Sequence, residues 1–139
     1  MTVEKFVEFI VDLANDELYE KLDGNAELYF LNGGCYELAK VVKNYVPMCE
    51  IVINKDNTHC AIKYKDEIYD AAGKLENKED FLIAKQEDIE YMEDRFGIPE
   101  LRYINNVTIS DFLIEELKKC NILHTLELQD NLKEDGEER

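Results

Sequence analysis

The chain has no tryptophan, no Cys-x-x-Cys pair, and 16 lysines and arginines against 32 aspartates and glutamates. The formal net charge of −16 repels a phosphate backbone, so direct nucleic-acid binding is not expected. No run approaches the ~18 apolar residues that a membrane-crossing helix needs. The N-terminus lacks a basic segment followed by an apolar one, so a cytoplasmic protein with reduced thiols is expected. No phosphate loop, dinucleotide fingerprint, calcium loop or internal repeat is present, and no cofactor is implied. Cys49, Cys60, Cys120, His59 and His124 fall at spacings that match no common zinc site. Oligomeric state is not legible.

A length of 139 residues with 45% apolar content suits one folded domain. The expected arrangement is a single α+β domain over residues 1–129, followed by a charged, flexible tail over 130–139. Thr2 caps a first helix with Val3, Phe6, Val7, Ile10, Leu13 and Ala14 on one stripe, ending near Asn15. A short helical turn is expected over Asp16–Leu22, broken by Asp23-Gly24-Asn25. From Cys35 the pattern is helical again, with Leu38, Ala39, Val42, Tyr45 and Val46 on one side and Pro47 as the stop.

A three-stranded antiparallel meander is expected next: Cys49–Ile53, the segment Thr58–Tyr64, and Glu67–Asp70, with Lys65-Asp66 as a hairpin loop. Beyond it the spacing predicts short helices over Glu79–Lys85 and Glu87–Phe96, the second closed by Gly97-Ile98-Pro99. Tyr103, Val107 and Ile109 suit a short strand or an extended connection. Ser110 is the expected N-cap of a last helix over Asp111–Lys119, whose Lys118-Lys119 complements the helix C-terminus.

Three residues in this frame carry chemistry. Cys35 follows Asn32-Gly33-Gly34 and opens a helix, where unpaired N–H groups and the macrodipole favour a thiolate. His59 and Asp70 lie on paired strands. With a two-residue loop, the register of Ala61 opposite Asp70 puts both on one face as diagonal neighbours. Cys60, Ile62 and Tyr64 then point to the core. Cys35 would be the nucleophile, His59 the general base and Asp70 the carboxylate that orients the imidazole. Backbone N–H groups at the helix start, Gly34 and the Asn32 side chain are the candidates for binding the oxyanion and substrate. Tyr64 and Tyr69 are read as strand packing, with the lining of a substrate groove as the alternative. The acidic run Glu87–Asp94 is read as a solvated helix face with Ile89 and Met92 turned inward.

The stretches Gly34-Cys35 with Glu37-Leu38-Ala39, His59-Cys60-Ala61-Ile62, and Ile68-Tyr69-Asp70-Ala71 together resemble the transglutaminase-like branch of the papain-like cysteine enzymes. The resemblance covers about residues 32–74. It implies acyl-enzyme chemistry at an amide or isopeptide bond of a protein or peptide: hydrolysis, deamidation or transfer to an amine. It assigns nucleophile, base and orienting carboxylate to Cys35, His59 and Asp70. The chain departs from the family's pattern in lacking tryptophan near the histidine and in the short Cys-to-His separation. Tyr29 stands where a papain-type glutamine would. From a different class, the acidic surface also suits a non-catalytic protein that binds a basic partner, in the manner of a nucleic-acid mimic; equally, it would recruit a basic substrate.

Overall fold

The computed structural model describes residues 2–95, 103–104 and 106–120. It is an α+β arrangement of helices on a small antiparallel sheet. Helix α1 (Val3–Glu17) starts where Thr2 Oγ1 accepts the Lys5 N–H at 3.2 Å, which satisfies one orphan donor of the first turn. Its buried stripe is Val3, Phe6, Val7, Ile10, Val11 and Ala14; Val11 is in it and Leu13 only partly buried. The helix continues two residues beyond Asn15. Residues 18–24 form turns in place of the expected helical segment, whose first two residues belong to α1. Asn15 instead accepts the Ala26 N–H at 2.7 Å and ties the end of α1 to the start of α2 (Ala26–Leu31).

Helix α3 (Cys35–Tyr45) follows Gly33-Gly34 and buries Leu38, Ala39, Val42 and Tyr45, with Val46 just beyond. It packs on the sheet and on the last helix, at the centre of the main core. The strands are β1 (Glu50–Asn54), β2 (Cys60–Tyr64), β3 (Glu67–Asp70), β4 (Gly73–Lys74) and β5 (Phe81–Ile83), in spatial order β4-β3-β2-β1-β5. Lys65-Asp66 forms the two-residue loop, with Lys65 at φ 57. Tyr64 pairs with Glu67, Lys63 with Ile68 and Ile62 with Tyr69; continuing this register sets Ala61 across from Asp70. Cys60, Ile62 and Tyr64 face the helices, while Val52, Ala61 and Ile68 form a second small cluster.

Two further expectations need correction. The segment Glu79–Lys85 is not a helix: a 3-10 turn at Lys78–Asp80 leads into β5. Phe81-Leu82-Ile83 finds the open edge of β1, pairing Asn54 with Phe81 and Val52 with Ile83, and Phe81 packs on the second cluster. Backbone pairing at that edge outweighs the weak helical spacing. The meander therefore grows into a five-stranded sheet. Ser110 is not the last helix's cap. That helix, α5 (Ile109–Lys119), is capped by Thr108, whose Oγ1 accepts the Asp111 N–H at 3.2 Å. Ser110 is fully buried inside the first turn, held by the Glu37 carboxylate.

Helix α4 (Gln86–Arg95) buries Met92 and packs Ile89 against the core, as its spacing predicts. A two-stranded hairpin, β6 (Tyr103–Ile104) and β7 (Val107–Thr108), precedes α5. The expectations at Phe96, Gly97-Ile98-Pro99, His124 and the tail over 130–139 lie outside the described residues. Among the described residues, no helix is long and apolar enough to cross a membrane.

Candidate active site

Cys35 is the first residue of α3, and its position is fixed by the glycine before it. The Gly34 N–H donates to the Tyr29 carbonyl at 2.9 Å, and the Tyr29 ring packs where a Gly34 side chain would stand. Only glycine lets the chain turn under that ring. The Leu38 N–H then bonds the Gly34 carbonyl, so the amides of Cys35, Tyr36 and Glu37 precede the helix's own ladder. The Cys35 residue is 3% exposed, and its sulfur accepts the Cys60 backbone N–H at 3.4 Å.

His59 stands immediately before β2, at the end of a loop held by Asn54. Asn54 Oδ1 accepts the N–H groups of Thr58 at 2.8 Å and His59 at 3.1 Å. The imidazole lies edge-on to Phe81, with ring centroids 6.3 Å apart. His59 Nε2 is 3.0 Å from Asp70 Oδ2. The other carboxylate oxygen of Asp70 accepts the Ala72 N–H at 2.8 Å, which fixes the carboxylate's rotation. With Nε2 turned to Asp70, the remaining ring nitrogen is Nδ1, and the Cys35 thiol is close enough to help raise the imidazole's pKa. The structure thus brings Cys35, His59 and Asp70 together, with the imidazole hydrogen-bonded to the carboxylate and near enough to the thiol to shift its pKa.

The electrostatics follow from these contacts. The Cys35 thiol is lowered to about 5, first by the hydrogen bond from the Cys60 side chain and, against the pull of burial, by the bond to His59. His59 is raised to about 9, chiefly by its bond to Asp70 and next by Cys35. Between those values the stable form is a thiolate beside an imidazolium. Cys49 supplies the contrast within the same fold. Burial alone, only partly offset by Lys43, pushes that thiol up to about 12.

The other sequence-derived candidates fare differently. The Gly34 N–H is spent on Tyr29, so Gly34 shapes the turn and is not an oxyanion donor. Asn32 is exposed, and its side-chain amide donates to the Leu28 carbonyl at 2.9 Å, closing the end of α2. The remaining candidates for an oxyanion site are the first amides of α3, Cys35 to Glu37. Tyr64 is buried in the core and Tyr69 packs against it. Among the described residues, no group of three or more His, Cys, Asp or Glu side chains is placed to hold a metal ion. All four cysteines are free, and Cys120 is exposed.

Sequence reasoning misses three contributors. Cys60 reads in the sequence only as an inward-facing strand residue, yet it contacts Cys35 through both its amide and its thiol. Asn54 reads as a turn residue, and the Asn-x-x-x-Thr spacing is the one signal of its loop-bracing role. Phe81 falls in the segment expected to be helical. It lines, with His59, Asp70, Asn54 and Leu75, a cleft of about 440 Å³ on the outer face of the sheet.

The family model of phage YunG-like proteins matches residues 11–121, and the chain belongs to that family. Cys35, His59 and Asp70 all fall inside the matched span. Neither the curated proteins nor the solved structures yield a match to the chain.

Proposed function

We propose that this phage YunG-like protein is a cysteine-dependent acyl-transfer enzyme with a papain-like, transglutaminase-like arrangement, acting on an amide or isopeptide bond of a protein or peptide. One observation carries the reading: a helix-start thiol stands beside an imidazole that is hydrogen-bonded to a carboxylate, in the order nucleophile, base, orienting acid. Cys35 attacks the carbonyl carbon as thiolate, and the amide of Cys35 at the start of α3 bonds the oxyanion that forms. His59 Nδ1–H gives its proton to the departing amine, leaving a thioester. Water or an amine, deprotonated by the now neutral His59, resolves it and regenerates the pair. Asp70 holds Nε2–H throughout, so Nδ1 is the nitrogen that exchanges protons. The net charge of −16 favours a basic substrate protein.

The test is the pH dependence of alkylation by iodoacetamide, with each thiol mapped by peptide mass spectrometry. Cys35 is expected to react with an apparent pKa near 5, well ahead of buried Cys49, with exposed Cys120 as the internal reference. In His59→Ala that pKa rises. Labelling of Cys35 that begins only near the ordinary ~8.5 and ignores His59 would sink the proposal.

A further inference from the structure

The acyl-transfer scheme leaves one thiol of the site unused. Cys60 is 1% exposed and sits on β2 beside His59, on the face that meets α3. Its backbone N–H donates to the Cys35 sulfur at 3.4 Å, and its own thiol is near enough to that sulfur to be the first cause of the lowered Cys35 pKa. Both cysteines are free. A structural cysteine is usually surrounded by carbon; here the neighbour is the most nucleophilic atom of the fold. Closing the two sulfurs to a bond of ~2.05 Å asks for side-chain rotation between two elements already packed together.

We propose that Cys60 is the resolving thiol of Cys35, so that hydrogen peroxide converts the pair into a reversible disulfide which withdraws the nucleophile. The inference rests on the nucleophilic Cys35 of the preceding section. The Cys35 thiolate attacks one peroxide oxygen and the O–O bond breaks. The imidazolium of His59 protonates the departing hydroxide, giving water and Cys35 sulfenic acid. Cys60 sulfur then attacks the Cys35 sulfur and the S–O bond breaks. The hydroxide that leaves carries off the Cys60 proton as a second water. Two thiol sulfurs are oxidised by two electrons and one peroxide is reduced to two waters.

The charge change between the two steps assists the second. Cys60 resists ionisation first because it is buried, and next because it donates to, and lies beside, the Cys35 sulfur. Sulfenic acid carries no charge, so the opposition from Cys35 vanishes when the attack is due.

The experiment treats the reduced full chain, carrying Cys120→Ser to prevent intermolecular bonds, with a small molar excess of hydrogen peroxide. Thiols are then blocked and the protein is analysed by intact and non-reducing peptide mass spectrometry. The expected product has lost about 2 Da, contains a Cys35–Cys60 cross-linked peptide, and returns to the starting mass with dithiothreitol. In Cys60→Ser the cross-link is absent and Cys35 progresses to the sulfinic acid, which dithiothreitol does not reverse. Sulfinic Cys35 in the parent with Cys60 still free to react would overturn the proposal, and this needs no variant to fold. Iodoacetamide labelling of a peroxide-free aliquot separates the two readings. Normal low-pKa labelling with no cross-link fails only the redox step, whereas slow labelling fails both.

Discussion

Replacing Asp70 with asparagine removes the charge that holds His59 while preserving shape. The amide oxygen of the substituted side chain keeps the bond from the Ala72 N–H, which leaves the new NH2 group facing Nε2. A donor there requires Nε2 to be an acceptor, so the neutral ring must carry its proton on Nδ1, toward Cys35. In that tautomer Nδ1 cannot take the thiol proton. The loss in the resting state follows from the raised His59 value. From 6.5 to about 9 is a shift worth about 3 kcal/mol at ~1.4 kcal/mol per unit, and Asp70 is its first cause. At pH 7.5 the imidazolium fraction falls from about 97% toward about 10% as the pKa returns to its ordinary value.

The sign for stability is fixed by the same numbers. A histidine whose folded value lies above its unfolded one is stabilising below the unfolded value. The gap between parent and Asp70→Asn is therefore widest below pH 6.5 and closes as pH rises through 9. The assay is an NMR titration of the imidazole in a His124→Gln background, which leaves one histidine, paired with urea melts at pH 6 and pH 9. The expected variant titrates at least one unit lower than the parent. Identical titration curves for the two proteins, with the parent near 6.5, would refute the ion-pair description of the site.

Three further outcomes follow. Gly34→Ala forces a Cβ into the Tyr29 ring, and overpacking in this buried turn is expected to cost at least ~2 kcal/mol by urea denaturation, with Cys35 alkylation slowed in the fraction that stays folded. Glu37→Ala strips the buried acceptor of the Ser110 N–H and is expected to cost about 1–3 kcal/mol, whereas Glu37→Gln, which keeps an oxygen there, loses less; equal losses would assign the effect to packing. Once a substrate is in hand, kcat/KM is expected to be bell-shaped, rising with Cys35 ionisation near pH 5 and falling as His59 deprotonates near pH 9; a single rise near 8.5 contradicts it.

What is legible in the chain is what local patterning specifies. The Gly33-Gly34 turn running into a helical stripe locates Cys35. Alternation over Cys60–Tyr64, with a two-residue loop, sets the face shared by His59 and Asp70, and the observed register has that parity. The misreadings have a common origin in partners distant along the chain. Phe81-Leu82-Ile83 is a strand only because β1 offers a free edge. Ser110 looks like a cap until Glu37, 73 residues away, claims its amide and leaves the cap to Thr108. Cys60 gains its chemistry from a thiol 25 positions earlier. Spacing within a window carries no record of such meetings.

The short outer strands bear on how a substrate is held. The sheet ends in a two-residue strand on one side and a three-residue strand on the other. The Glu4 carboxylate also caps the Lys74 N–H from α1 at 3.3 Å. Strand addition needs a row of unpaired amides and carbonyls several residues long. Neither edge provides one, so a polypeptide substrate would gain little from main-chain pairing along this sheet. Selectivity must then be read from side chains and charge at the His59 rim, and a folded surface loop or a protruding lysine is as acceptable in shape as an unfolded strand.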